Sequence, residues 1–121
     1  MKMNFKKIEA RFFKLTSGKE PVRDWLQDLD TEDCRTIGVD IKTVEFGWPI
    51  GMPVCKPLGR GLYEVRSNLK DARISRVLFC IQGNLMVLLH GFVKKSQKTP
   101  DKELDLAHKR LKEVTKNEKN Q

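Results

Sequence analysis

The feature that most constrains the fold is a pair of β-prone segments joined by a glycine turn. Residues 73–81 are rich in branched and aromatic side chains, and residues 85–93 are apolar except at His90 and Gly91. Gln82-Gly83-Asn84 separates them and is typical of a hairpin turn. The second segment is far shorter than the ~20 residues that a membrane span needs. The sequence therefore predicts an antiparallel hairpin whose second strand lies in the core.

Two helices are predicted before this hairpin. Pro21 stands at a first helical position, and apolar residues follow at helical spacing: Val22, Trp25, Leu26 and Leu29. Asp30 and Thr31 are suited to cap the second helix, which Gly47-Trp48-Pro49 ends. Its expected buried stripe is Cys34, Ile37, Ile41 and Val44.

The remaining segments complete one predicted domain over residues 1–121. Residues 5–15 suggest a first strand, residues 50–58 a proline-rich loop, and the alternating residues 62–66 a third antiparallel strand beside the hairpin. Thr99-Pro100 precedes a last helix, with residues 115–121 as a frayed polar tail. Its apolar face is Leu104, Ala107, Leu111 and Val114. The fold class is α+β, in the order βααβββα.

Positive charge is concentrated in the predicted strands. Nine of the 24 Lys and Arg residues lie in residues 56–98 with only two acids, so this segment holds +7 of the net +8 charge. The rest of the chain is nearly neutral, with 15 basic and 14 acidic residues. Such local excess indicates a site for a polyanion, and the isoelectric point near 9.6 makes nucleic acid the leading partner class.

The sequence argues against a secreted protein, a disulfide-stabilised or zinc-binding protein, and a metal-dependent nuclease. The N-terminus has charge but no following apolar stretch or cleavage site, so a cytoplasmic protein is expected. Cys34, Cys55 and Cys80 are odd in number and lack CxxC spacing, which argues against a disulfide framework or a zinc site. Glu64 and Asp71 are the only acids in the basic segment, so metal-dependent cleavage is disfavoured too.

The hairpin collects residues suited to RNA. A three-residue loop at residues 82–84 would place Arg76 opposite His90 and Ile74 opposite Phe92, with Lys94 on the same face, whereas a two-residue loop would undo this pairing. Cationic groups hold phosphates, an aromatic ring stacks a base, and an imidazole moves a proton near neutral pH. RNA can be cut without metal, because its 2′-OH attacks the adjacent phosphorus once a base removes the proton.

Structural alternatives stand beside these roles. His90 in an apolar strand could be a hydrogen-bonded core histidine, and Phe92 could be a core residue. Arg66 and Arg76 could be rim charges or buried partners of Glu64 or Asp71. Lys94, Lys95 and Lys98 are less ambiguous, since no acid occurs between Asp71 and Pro100 and these cations need an anionic neighbour.

Four segments form a recognisable set: residues 61–66, 76–79, 88–95 and 98–100, followed by Ala107 and Arg110. Together they resemble the RelE/ParE toxin superfamily, in its phage-derived, HigB-like branch. The resemblance implies a type II toxin that enters the ribosomal A site and cuts mRNA, uses no cofactor, and is inhibited by an antitoxin. In that superfamily the arginine of the strand before the hairpin matches Arg66, and the arginine of the hairpin's first strand matches Arg76. The basic pair after the last strand matches Lys94 and Lys95. The resemblance implies that these residues bind phosphate and stabilise the transition state.

The tyrosine that some superfamily members place near the last helix is replaced here by Thr99-Pro100, which leaves stacking to Phe92. The predicted catalytic residues are Arg66, Arg76, His90 and Lys95. The predicted RNA-binding residues are Lys56, Arg60, Arg73, Phe92, Lys94 and Lys98.

Two other functions and two modes of inhibition remain open. The chain could be a ParE-like gyrase poison or a nucleic-acid-binding module without catalysis. The expected partners are mRNA, the ribosome and an antitoxin of the helix-turn-helix DNA-binding type, with no membrane. The antitoxin would insert an acidic segment across Arg66, Arg76 and Lys94, or bind the N-terminal helices and act sterically.

Overall fold

A five-stranded sheet separates two helices on one face from a third helix on the other. This architecture comes from a computed structural model that describes residues 5–119. The strands are β1 (Glu9–Phe12), β2 (Cys55–Gly59), β3 (Leu62–Asn68), β4 (Ile74–Gln82) and β5 (Leu85–Lys94). The helices are α1 (Pro21–Asp28), α2 (Thr31–Gly47) and α3 (Asp101–Lys119), with a 3₁₀ turn at Lys70–Ala72. The predicted α+β class is confirmed.

The sheet order is β1-β5-β4-β3-β2. β2, β3, β4 and β5 pair antiparallel in succession, whereas β1 joins the sheet parallel to β5. α1 and α2 carry the chain from β1 at one edge of the sheet to β2 at the opposite edge, so the parallel pair β1–β5 is joined by a long connection rather than a tight turn. The β4–β5 hairpin therefore has a partner strand on each side and occupies the centre.

The helices begin and end close to their predicted positions. Pro21 opens α1, and the side chain of Asp30 caps α2 by accepting a hydrogen bond from the backbone N–H of Asp33 at 2.8 Å. α3 continues to Lys119, five residues beyond the predicted end of its helix at Val114, and residues 120–121 lie outside the described part. No helix within residues 5–119 has the length and apolar character to cross a membrane.

Two strand predictions need correction. The first strand is only Glu9–Phe12, shorter than the predicted residues 5–15. Residues 55–58, predicted as part of a loop, instead belong to β2 (Cys55–Gly59) at the edge of the sheet. Pro57 is tolerated there because an edge strand pairs on one side only, and the register with β3 shifts between Pro57 and Gly59. The element order is therefore βααββββα.

The hairpin register also differs from the prediction. Gln82 pairs with Leu85, so the turn has two residues, and Gly83 adopts a positive φ of 61°. The register then shifts by one residue, because Phe79 pairs with Leu88 whereas Leu78 pairs with His90. Leu89 is the extra residue of this β-bulge.

The bulge determines which side chains share a face. Arg76 lies opposite Phe92 rather than His90, and Ile74 lies opposite Lys94 rather than Phe92. A two-residue turn alone would have separated Arg76 from the even-numbered residues of β5, and the bulge restores that alternation. The predicted face is therefore correct in composition although its predicted register is wrong.

Each face of the sheet has its own hydrophobic core. The α1/α2 side buries Val65, Val77, Phe79 and Leu88 together with Ile37 and Val44 of α2. The α3 side buries Leu62, Leu78, Val87, Leu89 and Ala107. α3 covers this second side only in part. The candidate site lies next to the N-terminal end of α3.

Candidate functional site

The part of the sheet next to the start of α3 carries a row of charged side chains. In the register, Arg66 of β3 is directly opposite Arg76 of β4, and Arg76 is directly opposite Phe92 of β5. Glu64 lies two residues before Arg66 and so projects from the same face of β3. Three neighbouring strands thus bring together both predicted catalytic arginines.

Arg76 is completely buried, with a relative exposure of 0%. Its Nε lies 3.5 Å from Oε1 of Glu64, its Nη2 donates to the backbone carbonyl of Ser96, and its guanidinium carbon lies 5.9 Å from the centre of the Phe92 ring. Nε and Nη1 have no hydrogen-bond partner among the described residues. Burial, reinforced by Arg66 and opposed by Glu64, lowers the pKa of Arg76 from its usual value.

Arg66 contacts the same carboxylate from the neighbouring strand. Its Nε lies 3.5 Å from Oε2 of Glu64, and its Nη2 donates to the carbonyl of Gln97 at 2.8 Å. The Arg66 side chain is 14% exposed, so it lies closer to solvent than that of Arg76. Arg66 also helps to line a small cavity of about 140 Å³ with Met52 and Gln97.

Glu64 is a functional candidate that the sequence reasoning did not include. It is 1% exposed and faces both guanidinium groups, and it accepts a hydrogen bond of 2.5 Å from Oγ1 of Thr99. One carboxylate thus stands against two guanidinium groups, and the buried cluster retains positive charge. The sequence signal was its position two residues before Arg66 on a strand, which left open a buried pair.

His90 lies on the same face as Phe92 but faces the first turn of α3. Its Nε2 lies 3.0 Å from Oε1 of Glu103, and its ring stacks on Phe92 with centroids 5.6 Å apart. The carboxylate therefore fixes the orientation of the imidazole, as a positioning partner of a proton-transfer residue would. A purely structural histidine would make the same hydrogen bond, so the contact is compatible with both roles of His90.

The predicted lysines form an exposed rim beside the buried arginines. Lys94, Lys95 and Lys98 are exposed at and beyond the end of β5. Lys56 and Lys98 line a cleft of about 460 Å³ whose apolar wall is Pro57, Leu58 and Leu104. Arg60 is exposed in the β2–β3 turn with a positive φ of 55°. The rim can thus meet a polyanion without any rearrangement of the core.

Two predicted RNA-binding residues are placed differently from the rest. Phe92 is only 7% exposed and packs in the core under α3, so its ring offers little surface for stacking a base. Arg73 precedes β4 and reaches α2 instead, where Nη1 lies 2.8 Å from Oδ2 of Asp33 and Nη2 lies 3.3 Å from Oδ1. This hydrogen bonding to Asp33 raises the pKa of Arg73. Both side chains already have protein partners.

One family model matches most of the chain and supports the phage-derived part of the resemblance. A sequence comparison with curated proteins gives no significant match. The family model described as "Phage derived protein Gp49-like (DUF891)" matches residues 24–112. This range runs from within α1 to most of α3 and includes Glu64, Arg66 and Arg76. The chain therefore belongs to the phage-derived Gp49-like family, a family of toxin-like proteins.

Proposed function

We propose that this protein is the toxin of a type II toxin–antitoxin system and cleaves mRNA on the ribosome without a metal ion. The observation that supports this most directly is the Arg66–Arg76 pair, which shares one carboxylate and lies beside the exposed Lys94, Lys95 and Lys98. Positive charge in excess of its buried counter-charge suits a phosphodiester. The exposed lysines suit the RNA strand on either side of it.

The chemistry requires little from the protein beyond charge and proton transfer. Attack of the ribose 2′-OH on the adjacent phosphorus breaks the bond to the 5′ oxygen and leaves a 2′,3′-cyclic phosphate. Arg66 and Arg76 would stabilise the additional negative charge of the transition state. His90 or Lys95 would take the 2′-OH proton or give one to the leaving oxygen, each step contributing about 10²–10⁴-fold.

Recognition of the strand would rest on cations. Lys94, Lys95 and Lys98 would bind phosphates, and the cleft between Lys56 and Lys98 would receive a neighbouring nucleotide. Because Phe92 is buried, a base would rest against the aliphatic wall of this cleft instead of stacking on the ring. We also propose a cytoplasmic location and an antitoxin of the helix-turn-helix type, which would cover this basic face or block ribosome entry from the N-terminal helices.

The test is cleavage of a defined mRNA on programmed ribosomes at the Mg²⁺ concentration that they need, with other divalent metals varied, and without ribosomes in Mg²⁺ and in EDTA. We expect cuts only on ribosomes, with 2′,3′-cyclic or 3′-phosphate ends. Arg66→Ala should reduce the rate about 10²–10³-fold, as for loss of one electrostatic donor. Arg23→Ala, a substitution of an exposed arginine on α1, is the matched control. Intact mRNA with folded protein would overturn the proposal.

A second candidate is a gyrase poison that acts by binding rather than by cutting. The full burial of Arg76 favours it, since that guanidinium exposes no surface to a phosphate in this conformation. Induced expression would then give a DNA-damage response with intact transcripts. Steep salt dependence of nucleic-acid binding with neither outcome would indicate a binding module without catalysis.

A further inference from the structure

The connection between β5 and α3 lies directly over the arginine pair. We call residues 95–99 the strap. Three contacts attach it to the sheet: the Ser96 carbonyl accepts from Arg76, the Gln97 carbonyl accepts from Arg66, and Thr99 donates to Glu64. Each contact reaches one member of the buried cluster. The strap and the cluster are therefore one interacting unit.

The strap is held by these side chains rather than by regular backbone pairing. β5 ends at Lys94 and α3 begins at Asp101, so the strap belongs to neither element. Residues 95–98 are exposed, and within the strap Ser96 Oγ donates only a long 3.3 Å bond to the Lys98 carbonyl. Thr99 is the exception, because it is buried against Glu64. The Thr99 hydroxyl therefore attaches the end of the strap to Glu64 in the sheet.

The strap does not provide hydrogen-bond acceptors for all the N–H groups of the two arginines. Arg76 keeps Nε and Nη1 without a hydrogen-bond partner although it is fully buried, and unpaired buried donors are costly. The neutral carbonyls of Ser96 and Gln97 supply only partial negative charge. A phosphodiester carries a full negative charge and accepts charge-assisted hydrogen bonds, which are about twice as strong as neutral ones. An anion is thus a better partner for this pair than the strap is.

We propose that the strap is a lid that covers Arg66 and Arg76 in the RNA-free protein. It opens when a phosphodiester replaces the carbonyls of Ser96 and Gln97. Lys95 and Lys98 on the strap, with Lys94 beside it, then follow the RNA backbone, which couples binding of the strand to exposure of the arginines. The identity of the ligand rests on the proposed function, whereas the lid itself rests on the contacts of the strap.

Chemical accessibility of Arg76 tests the lid without any nuclease assay. The protein is treated with phenylglyoxal, which modifies exposed guanidinium groups, and each arginine is followed by peptide mass spectrometry. Thr99→Val keeps the shape of the side chain and removes the bond to Glu64. Thr115→Val is the matched control, because it removes a hydroxyl from an exposed site on α3, where it donates only to the Leu111 carbonyl.

We expect Arg76 to react much more slowly than the exposed Arg23 in the unsubstituted protein, and roughly tenfold faster in Thr99→Val, as loss of a charge-assisted bond implies. Thr115→Val should leave the rate unchanged. Rapid modification of Arg76 in the unsubstituted protein would overturn the lid, as would an unchanged rate in Thr99→Val. An equal acceleration at Arg110, which donates to the Leu89 carbonyl under α3, would mean general loosening and also overturn it.

A second part of the experiment, with an added ligand, tests the lid and the proposed function separately. A single-stranded 2′-deoxy oligonucleotide lacks the attacking hydroxyl and serves as the uncleavable probe. Slower modification of Arg76 in Thr99→Val when this probe is added would support both proposals. Acceleration by Thr99→Val without protection by the oligonucleotide would support the lid and count against a phosphodiester as its ligand.

Discussion

Arg66 and Arg76 are direct cross-strand partners, and each places its Nε 3.5 Å from the carboxylate of Glu64. Like charges directly opposite each other destabilise a sheet, the more so when water is excluded. The carboxylate between them therefore offsets a repulsion that the fold itself creates. The proposed function and the stability of the sheet are linked at Glu64, because this carboxylate contacts both guanidinium groups.

Glu64→Gln should lower the free energy of unfolding by about 3 kcal/mol, because it removes the negative partner of a buried pair and leaves two cations. The amide still accepts a bond from Thr99, so the loss reports on charge. Urea denaturation measures it. Glu32→Gln is the matched control, because its ion pair with Lys70 is exposed and should contribute nothing measurable. Equal effects of the two substitutions would contradict the central role of Glu64.

Lys98→Ala should weaken binding of single-stranded RNA and reduce the slope of log affinity against log salt by about 0.7, as expected for one lost phosphate contact. Binding is measured by fluorescence anisotropy over a salt series. Lys19→Ala removes an exposed lysine from the turn before α1 and should leave the slope unchanged. The same loss of slope in both variants would show that only net charge matters.

Gly91→Ala should destabilise the protein by about 1–3 kcal/mol through overpacking. A Cβ at this position would clash with two ring atoms of Trp25, so α1 would have to move away from β5. Gly38→Ala in α2 meets no atom within 4 Å and should stabilise the helix by about 0.5–1 kcal/mol. Chemical denaturation of both variants should therefore give shifts of opposite sign.

Cys55 should resist alkylation by iodoacetamide at pH 8. Burial, with a contribution from Glu64, raises the pKa of this thiol to about 11, so almost no thiolate is present. Because the folded-state pKa lies above the usual value of 9.0, this group's contribution to stability is complete below pH 9 and declines from about pH 9 to 11. Cys55→Ala should remove that part of the pH dependence. Rapid labelling of Cys55 in the folded protein would contradict the assignment.

The helices could be predicted because their signals are local. Pro21 and Asp30 begin α1 and α2 through their own backbone geometry and side-chain oxygen, whatever the sheet does. The predicted end of α3 at Val114 was too early, because a polar stretch beyond the last apolar contact can either remain helical or fray. Neither residue type nor spacing at residues 115–119 distinguishes these outcomes.

The sheet was harder to predict because its pairing depends on distant segments. β2 contains Pro57 and Gly59, which read as loop residues, and only β3 at its side makes it a strand. The turn length and the bulge at Leu89 are both invisible in the apolar pattern. Their effects on side-chain direction cancel, which is why the predicted face of Arg76 and Phe92 survived.

The candidate site shows a similar division. Sequence and resemblance singled out Arg66 and Arg76, which the structure brings together. Burial by the strap and the bridging role of Glu64 were missed, because they depend on how residues 95–99 fold back over the sheet. Arg73 was assigned with the other basic residues, although its charge is matched by Asp33 on the opposite side of the sheet.

The bulge at Leu89 makes the length of β5 as important as its composition. If Leu89 were instead paired in a regular ladder without the bulge, His90, Phe92 and Lys94 would rotate from the α3 side to the α1 side, because side chains alternate along a strand. Every amino acid of the site would remain in the sequence, yet the charged row would be divided between the two sides of the molecule. Related chains that keep this arrangement should therefore accept substitutions in β5 far more readily than single-residue insertions or deletions between His90 and Lys94.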